Sequence, residues 1–182
     1  MATPTAGTLS TITPDTIKNA FKEIMDDEAQ HVSFFQNALK KAGAPARPKP
    51  TFKGLERTDL DDFIAMSCTL ENAGVGAFLM AMPAISDKNA VAAAASIVTI
   101  EARHAGFVNA LLGKPLSDNG AFDKPISQAT IVEAVSPLIE SLNGGPSPSD
   151  ALNSDAVILN FALLLEHLEA EFYSVNVPRL FE

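Results

Sequence analysis

The sequence predicts an all-α protein, a four-helix bundle with one short extra helix. Three observations carry that expectation. Four long segments keep apolar residues at helical spacing. No stretch alternates apolar and polar residues between hairpin turns, and the β-branched residues fall inside helical patterns. Two pairs of helical segments also repeat each other's pattern of acidic, histidine and aromatic residues. At 182 residues the chain reads as one domain, 1–182, with room for a single substantial core.

The first helix is expected at 14–42, with Thr13 as N-cap, Pro14 at the first helical position and Gly43 as the stop. The connector GAPARPKPTFKGL has too many prolines to be helical throughout. The second helix is expected at 58–81, with Thr58 and Asp61 spaced as a capping-box variant and Pro83 beyond its end. The third, 87–112, runs up to Gly113, and its start, AVAAAASIV, suits high helix propensity and close helix contact. A shorter helix at 127–142 follows Ser127 as N-cap. The segment NGGPSPSDALNSD is the most linker-like in the chain. The last helix is expected at 154–174.

Composition excludes several functions. A hydrophobic share of 47% against 19% charged residues is that of a globular chain rather than a disordered one. The net charge of −9 leaves no cationic stripe for phosphates, so neither nucleic acid nor an anionic membrane is an expected partner. A single cysteine, Cys68, permits no intrachain disulfide. The start MATPTAGTLSTITP lacks the pattern of an export signal, and no apolar run is expected to span a membrane. The chain as written is therefore expected to be soluble and cytoplasmic.

Chemistry enters through four segments that match in pairs. Residues 28–34 read EAQHVSF and residues 101–107 read EARHAGF. In each, Glu and His stand three apart, so on a helix both project from one face, and Phe34 or Phe107 follows on that face. Residues 70–78 read LENAGVGAF and residues 165–173 read LEHLEAEFY. Each has one Glu, Glu71 or Glu166, followed two helical turns later by an aromatic, Phe78 or Tyr173. One Glu from each of two helices plus Glu-x-x-His from each of two others is the donor set of a dinuclear carboxylate site. The candidate metal ligands are Glu28, His31, Glu71, Glu101, His104 and Glu166. Two divalent cations would neutralise four carboxylates that burial would otherwise leave in mutual repulsion. Hard oxygen with imidazole nitrogen suits iron or manganese and tolerates zinc.

Neighbouring residues admit more than one role. Glu169 shares much of the Glu166 face and stands as an alternative ligand or a carboxylate behind the ligands. His167 is turned about 100° away and is expected to pack or hydrogen-bond. Glu171 is expected to face solvent. Tyr173 fits a hydrogen bond near the metals, an oxidisable side chain or plain core packing. Cys68, one turn before Glu71, is expected to be a small buried residue rather than a cavity wall. Gly74 and Gly76 would leave room beside Glu71 or permit close helix contact.

At these residues the chain resembles the ferritin-like superfamily, in particular the branch of desiccation-related and fungal or bacterial stress proteins. The resemblance rests on LNFALLLEHLEAEFY, DDEAQHVSFFQNAL, LENAGVGAFLMAMP and AAAASIVTIEARHAGFVNALLG with the following AFDKPIS, which together cover most of the chain. It implies the same six ligands. It also implies a departure: in the family, the helix containing LEHLEAEFY comes first, whereas here it comes last, so the helix order is permuted. The ending VPRLFE then fits a cut in what is ordinarily the first inter-helix loop. The last helix would complete its own bundle or swap into a second chain of a homodimer.

The function expected from this reading is a di-metal protein that reacts with O2 or peroxide, or oxidises a small-molecule substrate. The alternative is a non-catalytic stress protein whose metals hold the bundle together. Iron storage ranks below both, since no signature of cage-forming interfaces is legible.

Overall fold

The computed structural model describes residues 13–181. The leading segment read above for an export signal lies outside these residues up to position 12. Four long helices are present: α1 (Pro14–Lys41), α2 (Leu60–Ala81), α3 (Lys88–Leu111) and α5 (Asp155–Phe181), with the short α4 (Gln128–Val135) between the last two. The fold class is the expected all-α bundle, joined by one small ribbon in which β1 (Thr51–Phe52) pairs antiparallel with β2 (Ile139–Ser141).

Caps set the helix starts. Thr13 accepts a hydrogen bond from the Thr16 amide, and Ser127 accepts one from the Thr130 amide, both as expected. The second helix starts two residues later than the sequence suggested. Asp59, with extended backbone, accepts from the Asp62 amide at 2.9 Å, which makes Asp59 rather than Thr58 the cap. Asp87 caps α3 in the same way. Gly43 and Gly113 adopt positive φ, +70° and +68°, just past α1 and α3, where a side chain would be strained.

Three further expectations are corrected. The extra helix ends at Val135 instead of 142, because Pro137 cannot continue it, and the chain turns through a short 3₁₀ segment into β2. The two-stranded ribbon escaped sequence reading because strands of two and three residues carry no period. The last helix does not stop at 174. It passes through Pro178 to Phe181, held by packing: Val177 is buried, and the Phe181 ring stacks on Phe21 at 5.4 Å between centroids. Also contrary to expectation, Leu60–Ala84 and Lys88–Leu111 are long and apolar enough to cross a membrane by length and composition. In this fold 56% of the first window is buried inside the protein, as befits a helix apolar nearly all round at the centre of a bundle.

Helix directions follow from who touches whom. Phe21 near the start of α1 meets Phe181 and Tyr173 near the end of α5, while Phe35 and Leu39 join Leu159 and Leu163 at the other end. α1 and α5 are therefore antiparallel. α2 and α3 are too, since Cys68 meets Asn109 at one end and Phe78 joins Ala94 and Ile97 at the other. α1 and α2 run the same way, which forces the proline-rich connector along the length of the bundle. Two asparagines of α5 strap it down. Asn160 accepts from the Arg47 amide at 2.6 Å, and Asn176 donates to the Leu55 carbonyl while accepting from the Arg57 amide. Buried Arg47 ties the strap to the linker by donating to the carbonyls of Asn160 and Pro146.

The core has two apolar ends. Phe21, Phe63, Phe172 and Tyr173 pack at one, and Phe35, Phe78, Leu159 and Leu163 at the other. On every long helix the predicted Glu and His positions fall between these two ends. That places a polar layer in the middle of the bundle.

A candidate metal centre in the polar layer

Each long helix delivers its share. α1 places Glu28 and His31, α2 Glu71, α3 Glu101 and His104, and α5 Glu166 and Glu169; none is more than 8% exposed. Helical spacing of three puts each Glu-x-x-His pair on the inward stripe, and the apolar residues on either side of it hold that stripe to the axis.

The histidines converge on the carboxylates through the same ring nitrogen. His31 Nδ1 lies 3.2 Å from Glu28 Oε2, 3.1 Å from Glu101 Oε1 and 3.3 Å from Glu166 Oε2. His104 Nδ1 lies 3.0 Å from Glu28 Oε1 and 3.4 Å from Glu71 Oε2. Two quartets result, each offering four donor atoms within 4.8 Å of one another: Glu28, His31, Glu101, Glu166 and Glu28, Glu71, Glu101, His104. Glu28 and Glu101 belong to both. The remaining four residues divide evenly, one Glu and one His to each quartet.

Protons stand in for cations when none is bound. Burial alone would push Glu28 up, but the imidazoles of His104 and His31 beside it override that and bring Glu28 down to about 2. Its counterpart Glu101 moves the other way: burial and the charge of Glu28 raise it well above the ordinary carboxylate range. Burial raises Glu166 to about 8 and, with the neighbouring carboxylates, lifts Glu169 strongly. Burial opposes charge on His104, yet the nearby carboxylates of Glu28 and Glu71 raise it to about 11, and His31 rises because Glu101, Glu166 and Glu28 surround it. The cluster thus favours protons on both imidazoles and on the carboxyls of Glu101, Glu166 and Glu169.

The donor atoms themselves fit such ions. Glu28 Oε1, Glu71 Oε2, both oxygens of Glu101, Glu166 Oε2 and His104 Nδ1 are buried and make no hydrogen bond. Orphans of this kind are rare in folded proteins and costly. Here they are concentrated in one cluster and point at one another. Hard oxygens with imidazole nitrogen are a donor set that could hold metal ions.

Three residues behind the donors shape the site. His104 Nε2 lies 3.3 Å from Asp27 Oδ2, so the outer nitrogen is engaged by a carboxylate while Nδ1 faces the cluster. Asp27 was missed in the sequence; its only signal is that it directly precedes Glu28, where Ile100 precedes Glu101. The Tyr173 hydroxyl donates to Glu71 Oε1 from a ring fully buried in the core, so this residue both hydrogen-bonds and packs. Gly74 makes room: a Cβ there would lie 3.0 Å from Glu101 Oε2 and 3.2 Å from Glu169 Oε1.

Other expectations resolve away from the cluster. Gly76 admits the segment after α3, since a Cβ would run into the Ile126 side chain. Cys68 is buried, and its thiol donates to Asn109 Oδ1 at 3.1 Å, with Lys114 Nζ 3.3 Å from the sulfur. His167 is buried, with Nε2 unbonded, and burial together with Lys49 and Arg47 lowers it to about 4, so it is a neutral packing residue. Glu171 pairs with Lys49 at 2.6 Å, with its side chain one-third exposed.

Comparison with known proteins completes the assignment. No curated protein and no solved structure matches the chain. The sequence profile described as ferritin-like domain matches residues 3–114, which contain α1, α2 and α3 with five of the seven clustered Glu and His residues. α5, with Glu166 and Glu169, lies beyond the match. On that match, over more than half of its length, the chain belongs to the ferritin-like domain family.

Proposed function

We propose that this protein holds two redox-active divalent ions, iron or manganese, in the shared cluster and uses them to react with dioxygen or peroxide. One observation carries the reading: two quartets of buried donors overlap at Glu28 and Glu101, with six of their donor atoms making no hydrogen bond. Glu28 and Glu101 would each touch both ions. Glu166 and His31 would complete one position, Glu71 and His104 the other. Bound iron or manganese would supply the electrons and the Lewis acidity that carboxylates and imidazoles lack. The protein's own residues fix the donors, exclude bulk water and hold compensating charge. Asp27 orients His104, Tyr173 orients Glu71, and Glu169 is a fifth carboxylate within reach of the Glu101 side.

The permuted helix order and the stress-protein branch belong to the same proposal. Supporting the permutation, the family match ends before α5, yet α5 packs against α1 and brings in Glu166, the fourth carboxylate of the two quartets. The connection 112–154 between α3 and α5 then does the work of joining the family's last helix to its first.

The test is direct. Protein loaded anaerobically with ferrous or manganous ion should bind two per chain, unfold at a higher temperature and consume oxygen or peroxide faster than the free ion. Ligand binding at about a hundred times Kd stabilises by ~2.7 kcal/mol, ample for detection. Two bound ions with no rate gain over free ion would make the metals structural. Fewer than one per chain would end the metal reading.

A further inference from the structure

The aromatic residues two turns after each lone Glu differ, and the difference opens one side of the cluster. Tyr173 seats its hydroxyl on Glu71 and is fully buried. Phe78, at the matching place after Glu71 on α2, has no hydroxyl to offer Glu166. Instead its ring walls two cavities. The inner one, about 20 Å³, lies in the seam between α2 and α5 and is lined by Gly74, Ala77, Phe78, Ala162 and the carboxylate residues Glu166 and Glu169. The outer one, about 40 Å³, lies at the bundle end and shares Phe78, Ala81 and Ala162 with the inner one. Its other walls are apolar throughout and reach the exposed ring of Phe34. The alanine run that begins α3 contributes Ala90, Ala93 and Ala94, small side chains that leave this space unfilled.

Resting on the functional reading above, we infer that the reactant reaching this cluster through the α2–α5 seam is dioxygen, arriving on the Glu166 and Glu169 side past Phe78 and Ala162. Size and polarity choose the occupant. Each cavity has room for a guest of a few atoms at most, and narrow apolar cavities stay dry while accepting small apolar guests such as xenon. Peroxide or a charged substrate would shed its water there with no hydrogen-bonding partner before Glu166 and Glu169. Polar species have a different approach. Between α1 and α3 a cleft of about 200 Å³ is lined half by apolar side chains, Ala20, Ile100 and Phe107 among them, and half by Glu23, Asp27, Arg103 and His104. The cleft thus offers charged side chains along its wall, and the outer seam cavity offers none.

The experiment compares Ala162→Phe, which fills the wall common to both cavities, with Ala20→Phe, which fills the polar cleft. Crystals of metal-free protein pressurised with xenon should show it in the seam of the wild type and of Ala20→Phe, and none in Ala162→Phe. In stopped flow, the ferrous-loaded Ala162→Phe protein should react with oxygen roughly tenfold more slowly, and Ala20→Phe at the wild-type rate. Metal stoichiometry and circular dichroism confirm that each variant is folded and loaded. If Ala162→Phe does not fold, Ala162→Leu gives the same readouts with a smaller plug. A plugged, loaded variant that reacts at the wild-type rate, or xenon lodging away from the seam, overturns the route. Failure of the functional reading looks different: the wild type and both variants would be equally inert toward oxygen, and the dioxygen assignment falls with it.

Discussion

The half of the bundle formed by α5 and α1 and the half formed by α2 and α3 carry matching donors, a lone Glu on one helix and Glu-x-x-His on the other, but they differ at three equivalent positions. Before the Glu-x-x-His stands Asp27 in one half and Ile100 in the other. Three residues after the lone Glu stands Glu169 or Gly74, and seven after it Tyr173 or Phe78. In each case the α5–α1 half supplies a polar group and the α2–α3 half receives it: Asp27 on His104, Tyr173 on Glu71, Glu169 beside the missing side chain of Gly74. What is shared by the halves builds the two overlapping donor quartets. What differs gives the two quartets unlike surroundings, one braced by polar contacts and one facing an apolar seam.

The largest effects should come from the shared donors. Because Glu28 and Glu101 belong to both quartets, Glu28→Ala or Glu101→Ala should abolish binding of both ions, whereas Glu71→Ala or Glu166→Ala should lower the stoichiometry from two to one. Metal analysis of dialysed protein distinguishes these outcomes. Equal losses in all four variants would break the division into shared and unshared donors.

Metal removal should also make stability depend on pH. Glu166, raised from 4.5 to about 8, keeps in the fold a proton that the unfolded chain has already released, so stability is lost as pH rises from 4.5 toward 8. His104, raised from 6.5 to about 11, contributes fully below 6.5 and loses its contribution as pH rises toward 11. Both slopes have the same sign. The melting temperature of metal-free protein should therefore fall between pH 6.5 and 9, while that of loaded protein, whose donors have exchanged protons for metal, should not. Calorimetric titration at neutral pH should show protons released on metal uptake.

Much of this was legible in the sequence, and the reason lies in periodicity. Glu28, His31, Glu101 and His104 could be placed on one face because a three-residue step on a helix fixes their direction, and Glu71 and Glu166 were found because their aromatic partners repeat two turns on. The elements that escaped lack such a period. The ribbon of β1 and β2 is too short to alternate, and the end of α5 was misjudged because Pro178 argues locally for a stop that the packing of Phe181 overrides. Asp27 was invisible for a different reason: its partner His104 lies on another helix, and nothing local distinguishes an acid that reaches a histidine from one that reaches water.

Intermediate effects should follow from the unequal positions. Asp27→Asn keeps the shape but removes the charge behind His104, and loss of such a partner typically weakens metal binding by ~10–100-fold. The loss should fall on one ion, the one shared with Glu71, and competition with a chelator measures it. Gly74→Ala separates packing from binding. In metal-free protein the carboxylates of Glu101 and Glu169 can swing aside, and replacing a helical Gly by Ala is worth up to about 1 kcal/mol, so stability should hold or rise. With metal bound, Glu101 has no such freedom, and affinity should drop. A fall in metal-free stability without a fall in affinity would show that Gly74 serves helix contact alone.

The smallest expected effect belongs to the Tyr173 hydroxyl. Tyr173→Phe keeps the ring, and with it the edge contacts to Phe63 and Phe172, so the variant isolates one hydrogen bond to a buried carboxyl. Removing that bond should cost about 1–1.5 kcal/mol in metal-free protein, read as a modest drop in melting temperature. The bond also decides which oxygen of Glu71 remains available. Tyr173 occupies Oε1, and Oε2 is the one left unbonded 3.4 Å from His104 Nδ1. Freed of the hydroxyl, Glu71 can present either oxygen, and the ion it helps to hold should exchange faster while the stoichiometry stays at two. A variant that binds and exchanges metal like the wild type would reduce Tyr173 to a core residue, and the two halves would then differ around the cluster only through Asp27, Glu169 and the open seam.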